Sequence, residues 1–312
     1  MKPGKWLILI GVGVVAVLPL FLLEEAPAPT PEFSYYQEAP SAMRLVEVMD
    51  ARPNHERRDV VMKALDGAAI AYGKEEVSNR VFQGTNVVVD MGEGKNILLF
   101  AAHFDRVDEA PGANDNASCV AAGIEALREL SVTKVPQGLT VRFLFSDGEE
   151  AGFHGARHHA DTQDLSNIFG VASFEMCGIG DAFGVWDVVG PAVGSPIVQA
   201  LLEAGKNLKI YNATHGAVPR FGSDHRVFSN KGLSAVGVTV LPEEDEDKLR
   251  SYVEDPNNPK WLLNFIRPTI FQTYHTSGDT AQTIDRAALN MTTRLMLETV
   301  RVVGQMIKKN GY

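Results

Sequence analysis

One stretch, residues 96–130, constrains the fold of this chain more than any other. It opens with a short apolar run at 97–102, which has the length and composition of a strand buried on both faces. A loop containing proline and glycine follows, and then an apolar helical pattern through Val120, Ile124 and Leu127. A strand, loop and helix in this order predict a layered α/β arrangement with this strand inside a sheet.

The rest of the chain repeats this alternation of strands and helices. Helical patterns are found from Ser41 onward and at 117–130, 196–204 and 285–308. Further strand-like runs occur at 86–90, 139–145, 169–174, 185–189 and 236–241. We therefore predict a three-layer α/β/α sandwich with a mixed, mostly parallel central sheet.

The N-terminal residues differ from this domain in composition. Residues 6–23 are apolar and uncharged, which is long enough to span a bilayer, with lysines before and glutamates after. Residues 1–23 are thus predicted to be a membrane anchor that leaves the main domain periplasmic or extracellular. A cleaved signal peptide followed by secretion is the alternative. Residues 24–40 are rich in proline and predict an extended linker.

Residues 41–312 are predicted to form the main domain. Within it, residues 243–272 combine an acidic run with proline breaks and an aromatic segment, and we interpret them as a lid-like insertion. The formal net charge of -10 argues against nucleic acid as a partner. Cys119 and Cys177 cannot form a disulfide framework and are interpreted as small buried residues, with a single disulfide as the alternative. The oligomeric state is not predicted.

Polar side chains collect where the first apolar run ends. His103 and Asp105 are two residues apart, so on a strand they would share one face. Asp115 lies where the following loop turns into a helix. Ligand sites in open α/β sheets lie beyond the carboxyl ends of the strands. An imidazole and two carboxylates at this edge predict a divalent metal site, with zinc as the first choice.

Two other strands end in acidic residues as well. The run at 139–145 leads to Glu149 and Glu150, of which one could ligate a metal while the other acts as a general base. The run at 169–174 leads to Glu175, and His275 lies in a polar turn near the C-terminus. The remaining histidines are interpreted as surface or supporting residues, or have no partner that the sequence identifies: His154, His158, His159, His55 and His215.

Five short motifs resemble those of one family, the M28-type zinc aminopeptidases, whose scaffold is shared by glutaminyl cyclases. They occur in the same order along most of 41–312: HFD at 103–105, GANDNAS at 112–118, SDGEEAGFHGA at 146–156, FGSDH at 221–225 and YHTSGDT at 274–280. The chain departs from the family pattern at three positions. Glu175 stands where the family usually has an aspartate. Arg106 stands where a small hydroxyl residue is common, and Cys119 where a glycine is frequent.

The resemblance implies a site with two zinc ions, or one in a cyclase-like variant. Asp115 and a water would bridge the ions, with His103 and Glu175 on one ion and Glu150 and His275 on the other. Glu149 would be the general base, Asp105 would fix the His103 tautomer, and Tyr274 could stabilise the oxyanion. The resemblance also implies a cis peptide bond between Asp115 and Asn116.

The predicted function is removal of the N-terminal residue from a peptide. Five aromatic residues are candidates for the substrate side-chain pocket: Phe221, Tyr252, Trp261, Phe265 and Phe271. One alternative is a glutaminyl-peptide cyclotransferase on the same scaffold. Another is a carboxypeptidase or deacylase, because related enzymes of these kinds have a glutamate at the position that matches Glu175. A non-catalytic interaction domain would lack metal ligands, whereas each of the expected ligands has a matching residue here.

Overall fold

A computed structural model of the chain describes residues 41–254 and 267–310, apart from the side chain of Asn310. Through this part runs an eight-stranded sheet with the order β1-β2-β4-β3-β5-β8-β6-β7. The strands are Gly73–Ser78 (β1), Gln83–Met91 (β2), Asn96–His103 (β3), Leu139–Ser146 (β4), Ile168–Glu175 (β5), Ala182–Trp186 (β6), Asn212–Thr214 (β7) and Ala235–Leu241 (β8). The central strands are parallel, whereas β1–β2, β2–β4 and β6–β8 pair antiparallel.

Helices cover both faces of this sheet, which confirms the predicted three-layer sandwich. They are Ala42–Met49 (α1), Asn54–Gly67 (α2), Ser118–Thr133 (α3), His154–Thr162 (α4), Pro196–Leu208 (α5), His225–Asn230 (α6), Glu246–Val253 (α7), Thr269–Gln272 (α8) and Arg286–Asn310 (α9). Helices α1, α2, α3, α5 and α9 share the larger core. Helices α4 and α6 pack on the opposite face.

Strand β3 is buried on both faces, as its apolar run predicts. Leu98 and Phe100 belong to the larger core, whereas Leu99 and Ala101 belong to the core under α4 and α6. Successive residues of a strand point to opposite faces, so only a strand covered on both sides needs an unbroken apolar run. Burying a side chain such as Phe100 stabilises the fold by roughly 1.5–3 kcal/mol.

Two of the observed strands were not predicted from the sequence, and a third lies at a different position from the one predicted. Strands β1 and β7 were not predicted, because β1 is mostly exposed and β7 is three residues long. The strand predicted at 185–189 lies at Ala182–Trp186 instead. It ends there because Asp187 has a φ of 57°, a left-handed conformation that breaks the extended backbone.

The predicted membrane localisation requires correction. Among the helices of 41–254 and 267–310, none is long and apolar enough to cross a membrane. The segment 6–23 on which that prediction was based, and the linker at 24–40, lie outside the described residues.

In its described residues, 243–254 and 267–272, the predicted insertion forms two short α-helices. A turn at Glu243–Asp245 leads into α7, and α8 follows at Thr269–Gln272. Between them, residues 255–266 lie outside the described residues, and so do the predicted pocket residues Trp261 and Phe265. A lid function for this segment stays a prediction.

Candidate metal centre and adjoining pocket

Three neighbouring strands of the sheet deliver acidic and imidazole side chains to one edge. His103 is the last residue of β3, and Glu175 is the last residue of β5. Glu149 and Glu150 lie in the turn that follows β4. Since β3 pairs in parallel with both β4 and β5, these carboxyl ends meet at the same place.

Asp115 reaches the same point from a tight turn that precedes α3. Asp279 holds the backbone of this turn, accepting hydrogen bonds from the N–H groups of Asn114 at 2.7 Å and Asp115 at 3.1 Å. The Asn116 side chain connects the turn to β5 through the carbonyl of Phe174, at 2.9 Å. The peptide bond between Asp115 and Asn116 is cis, as the resemblance implied.

The two carboxylate oxygens of Asp115 face two different imidazoles. Its Oδ1 lies 3.3 Å from Nε2 of His103, and its Oδ2 lies 3.2 Å from Nε2 of His275. The same His103 nitrogen is 3.3 Å from Oε2 of Glu175, and the His275 nitrogen is 3.1 Å from Oε2 of Glu150. Asp115 is thus the shared member of two donor groups.

This donor set fits zinc. Ligand atoms about 2.0–2.1 Å from a tetrahedral zinc lie roughly 3.3 Å from one another, which is close to the separations between these atoms. Imidazole nitrogens and carboxylate oxygens are ordinary zinc ligands. Two further groups of donors, both containing His103, have ligand atoms that all lie within 4.8 Å of one another: His103–Asp115–Glu150 and His103–Glu149–Glu175. Because these groups overlap with the two around the Asp115 oxygens, the donors form one continuous cluster.

The electrostatics of the cluster also favour a cation. Burial raises the pKa of Glu149 well above its ordinary value, against the opposing effect of His103. Burial likewise raises the pKa values of Glu150 and Glu175. Burial opposes charge on His275 too, but hydrogen bonds to Asp115 and Glu150 outweigh it and raise its pKa to about 10. A divalent cation among these groups would compensate the crowded carboxylates directly.

Asp105 lies behind the cluster and not on a strand. Its two carboxylate oxygens accept hydrogen bonds from the backbone N–H groups of Glu149 and Glu150, both at 3.1 Å. Its Oδ1 is also 3.4 Å from Nδ1 of His103, and its backbone carbonyl oxygen is 3.1 Å from the same nitrogen. Asp105 therefore orients the His103 ring and fixes the turn that carries both glutamates.

A largely apolar pocket adjoins the cluster. Its empty volume is about 680 Å³, including its open mouth, and its walls contain Phe221, Phe271 and Tyr274. Tyr252 packs against two of these rings, 5.9 Å from Phe221 and 5.1 Å from Phe271 between centroids. Burial and the nearby carboxylates, Asp115 first among them, raise the pKa of Tyr274, so its phenol stays protonated.

Three residues in or beside the site were not predicted from the sequence. Ser223, within the FGSDH motif, donates a hydrogen bond to Glu175. His215 lines the pocket, although no partner for it was identifiable from the sequence. Arg57 is fully buried and bonds to backbone carbonyls around the turn before Asp115. None of these three forms a recognisable spacing with the ligands, so only the tertiary structure finds them.

The cysteines and the remaining histidines behave as supporting residues. Cys119 and Cys177 are both buried and free, so the alternative of a single disulfide is wrong. His159 is buried, with Nδ1 2.8 Å from Glu75, and His154 stacks on Phe82 with 4.8 Å between ring centroids.

Sequence comparison relates this chain to known proteins. The sequence model of peptidase family M28 matches residues 86–300. Leucine aminopeptidase 2 of Trichophyton equinum is 27% identical over 259 residues, which are 77% of this chain and 50% of that protein. An aminopeptidase of Pseudomonas aeruginosa strain UCBPP-PA14 is 31% identical over 185 residues, 54% of this chain and 33% of that protein. The chain thus spans half or less of these relatives.

Solved structures share the fold. A zinc aminopeptidase from Bacillus subtilis superposes with a TM-score of 0.55 at 20% identity, covering 71% of this chain and 50% of that chain. A glutaminyl cyclase from Porphyromonas gingivalis gives a TM-score of 0.66 at 18% identity, covering 85% of this chain and 98% of that one. At these identities the similarity shows a common fold.

Proposed function

The chain belongs to peptidase family M28, and from this premise we propose that it is a zinc-dependent aminopeptidase that removes the N-terminal residue from peptides. The observation that carries the proposal is the position of Asp115, whose two oxygens each approach a different imidazole within a buried acidic cluster. His103, Asp115 and Glu175 would hold one zinc ion, and Asp115, Glu150 and His275 the other. When bound, the ions supply Lewis acidity that polarises a carbonyl and lowers the pKa of water.

Glu149 is the general base of this proposal. Its carboxylate is buried beside His103 and Glu175, and burial raises its pKa well above the ordinary value of a glutamate, which makes the carboxylate a stronger base. It takes a proton from the attacking water and passes it to the departing amine. The geometry also permits Glu149 to act as a ligand, so its substitution must be examined for zinc content as well as for rate.

Tyr274 supplies a second polar group to the reaction. It lines the pocket next to the cluster, and its ring stacks on His275 with 3.8 Å between centroids. Since the raised pKa keeps the phenol protonated, its O–H can donate a hydrogen bond to the carbonyl oxygen as negative charge develops there.

The charge and shape of the site support a substrate with a free N-terminus. Asp115, Glu149, Glu150 and Glu175 line the pocket, and their carboxylate oxygens can accept hydrogen bonds from a protonated amine. The adjoining apolar pocket then receives the side chain of the first residue, and the rest of the peptide extends through the open mouth.

The test is a substrate panel with wild type and Glu149→Gln. Wild type should hydrolyse leucyl-p-nitroanilide and leave N-acetyl-leucyl-p-nitroanilide intact, because the blocked amine carries no positive charge. Glu149→Gln should lower kcat by about 10²–10⁴-fold while the zinc content stays that of wild type. If Glu149→Gln turns over substrate at the wild-type rate, Glu149 is not the general base. If this variant loses zinc, Glu149 is a metal ligand.

A second candidate is glutaminyl-peptide cyclotransferase activity, which the near-complete superposition on a glutaminyl cyclase favours. Incubation with N-terminal glutaminyl peptides separates the two functions. A cyclase closes the glutamine side chain onto its own amine and releases ammonia, whereas an aminopeptidase releases free glutamine. Hydrolysis of an N-blocked dipeptide with a free C-terminal carboxylate would instead support a carboxypeptidase, and release of acetate from N-acetyl-leucine would support a deacylase, the two alternatives that Glu175 suggested.

A further inference from the structure

Three rings that line the pocket, Phe221, Phe271 and Tyr274, form an aromatic wall next to the candidate metal centre. Phe221 and Tyr274 are partly exposed, whereas Phe271 is only 3% exposed. The Phe271 ring stacks on Phe221 with 4.3 Å between centroids and meets Tyr274 edge to face at 5.4 Å. Because Tyr274 also stacks on His275 at 3.8 Å, the wall begins at a candidate metal ligand, within reach of the side chain of a residue bound there.

Helix α8, which carries Phe271, does not cap its own N-terminus. It has four residues and follows Pro268, whose side chain has no oxygen to accept a hydrogen bond from the first N–H groups of the helix. A helix this short is not stable in isolation. The position of Phe271 therefore depends on contacts that α8 makes with other parts of the chain.

Asp245, the residue immediately before α7, provides the missing acceptor. Its Oδ2 accepts a hydrogen bond from the N–H of Thr269, the first residue of α8, at 2.6 Å, and its Oδ1 lies 3.0 Å from Nζ of Lys248. Burial opposes charge on this carboxylate, which is 5% exposed, but hydrogen bonds from Thr269 and Lys248 outweigh it and lower its pKa. The bond to α8 is thus charge-assisted, which makes it stronger than a neutral one.

This hydrogen bond connects two helices that both line the pocket. Leu249 and Val253 on α7 and Ile270 and Phe271 on α8 are pocket residues and belong to one apolar cluster. Tyr252 on α7 also contacts α8, with its ring centroid 5.1 Å from that of Phe271. Without the bond, α8 could shift against α7, and the space for a side chain in the pocket would change.

We propose that Asp245 is a positioning residue for substrate specificity: by capping α8 it holds the aromatic wall at the spacing that fits a branched or aromatic first side chain. An alanyl side chain is too short to fill this space, so its turnover depends little on where the wall lies. Asp245 acts through these rings and not by contact with the substrate. This inference rests on the proposed aminopeptidase function.

The first test compares kcat/KM of wild type and Asp245→Ala for leucyl- and alanyl-p-nitroanilide. Wild type should prefer the leucyl substrate, which buries more apolar surface in the pocket. Asp245→Ala should lower the leucyl-to-alanyl ratio by about fivefold or more, mainly through a higher KM for the leucyl substrate. A loss of folded enzyme would lower both rates equally, so it cannot imitate this result. A wild-type ratio in Asp245→Ala would overturn the proposal.

Two further variants separate the hydrogen bond from other effects of the substitution. Asp245→Asn keeps an oxygen that can accept the Thr269 N–H, so its ratio should stay close to that of wild type. Asp247→Ala removes an exposed carboxylate from the first turn of α7 and should also keep the wild-type ratio. If the ratio of Asp245→Asn were as low as that of Asp245→Ala, the capping role would be wrong.

Thr269→Pro removes the same hydrogen bond from the donor side. Proline has no N–H and is tolerated at the first position of a helix. Pro268 has a ψ of 159°, an extended conformation that is compatible with a following proline. Thr269→Pro should lower the ratio as Asp245→Ala does, and the double variant should lower it no further. Effects that add in the double variant would contradict a shared bond.

The outcome for this inference is separable from that for the proposed function. Turnover of either substrate by wild type shows that the aminopeptidase function holds, whatever the ratio in the variants. Calorimetry with free L-leucine and L-alanine tests the pocket without turnover. Wild type should bind leucine more tightly than alanine, and Asp245→Ala should lose most of this difference. The same difference in both proteins would overturn the role of Asp245 even in an active aminopeptidase.

Discussion

Asp279 fixes Asp115 through the backbone and not through its carboxylate. One Asp279 oxygen accepts the N–H of Asp115 at 3.1 Å, and the other accepts the neighbouring N–H of Asn114 at 2.7 Å. Asp279 is only 1% exposed, so these bonds lie in a low-dielectric setting where charge-assisted hydrogen bonds are strong. The position of Asp115 between His103 and His275 thus depends on a residue that lies 164 positions further along the chain.

Asp279→Asn should disturb the metal centre without removing a ligand. An asparagine amide has one acceptor oxygen, so one of the two backbone N–H groups would face an N–H donor. We expect a loss of about 10–100-fold in zinc affinity or kcat/KM, as for other residues that orient metal ligands. Zinc titration and kinetics measure both quantities.

The matched control is Asp164→Asn. Asp164 is exposed and also accepts a backbone hydrogen bond, from Ser166 at 2.9 Å, but it lies outside the site. This variant should keep wild-type zinc affinity. An equal effect of both substitutions would contradict the role given to Asp279.

Arg57→Lys should destabilise the fold. The Arg57 guanidinium donates to the carbonyls of Phe104, Met49, Pro111 and Gly112, and so joins α1 and α2 to the turn before Asp115. A lysine cannot reproduce this planar fork, and several buried carbonyls would lose their partner. We expect a loss of roughly 3 kcal/mol or more in the free energy of unfolding, measured by urea denaturation.

Arg58→Lys provides the comparison at the next position. Arg58 is partly exposed and pairs with Asp59 at 2.8 Å, a contact that a lysine can largely replace. Its effect should stay within about 0.5 kcal/mol. A similar stability for the two variants would show that Arg57 is dispensable.

Asp187 should make stability depend on acidic pH. Burial opposes its ionisation, but hydrogen bonds from His225, Arg226 and the N–H of Val218 outweigh this and lower its pKa to about 2 from an ordinary value of 3.8. A depressed folded-state pKa gives stabilisation that is present above about pH 4 and is lost as the pH falls toward 2. Asp187→Asn should therefore flatten the fall in unfolding free energy between pH 4.5 and 2.5.

This measurement is made with chelator present, so that release of metal does not contribute. Asp108→Asn, at an exposed carboxylate, should retain the wild-type slope. If the unfolding free energy of Asp187→Asn falls with pH as steeply as that of wild type, the hydrogen bonds around Asp187 do not lower the pKa of its carboxyl group.

The central layers of the fold were predictable from the chain because their signals are local. An unbroken apolar run such as 97–102 is expected only where both faces are covered, and β3 is covered on both. Strand β1 gives no such signal, since most of its residues are exposed and it is held by pairing with β2. The end of β6 depends on the backbone conformation of Asp187, which alternation does not encode.

The residues of the candidate metal centre were predictable for a different reason. His103 and Glu175 directly follow apolar runs, and Glu149 and Glu150 follow one within five residues, so parallel pairing alone brings them together. The supporting residues have no such signal in the sequence. Arg57 is one of two adjacent arginines in its helix, and His215 is a lone histidine after a strand of three residues, so their contacts emerge only from the tertiary structure.

Zinc content per chain tests most directly whether Asp115 joins two metal positions. Mass-spectrometric metal analysis after dialysis against trace zinc should give two ions for wild type, one each for His103→Ala and His275→Ala, and none for Asp115→Ala. A wild-type protein that binds a single ion, or an Asp115→Ala variant that keeps both ions, would contradict the bridging role of Asp115.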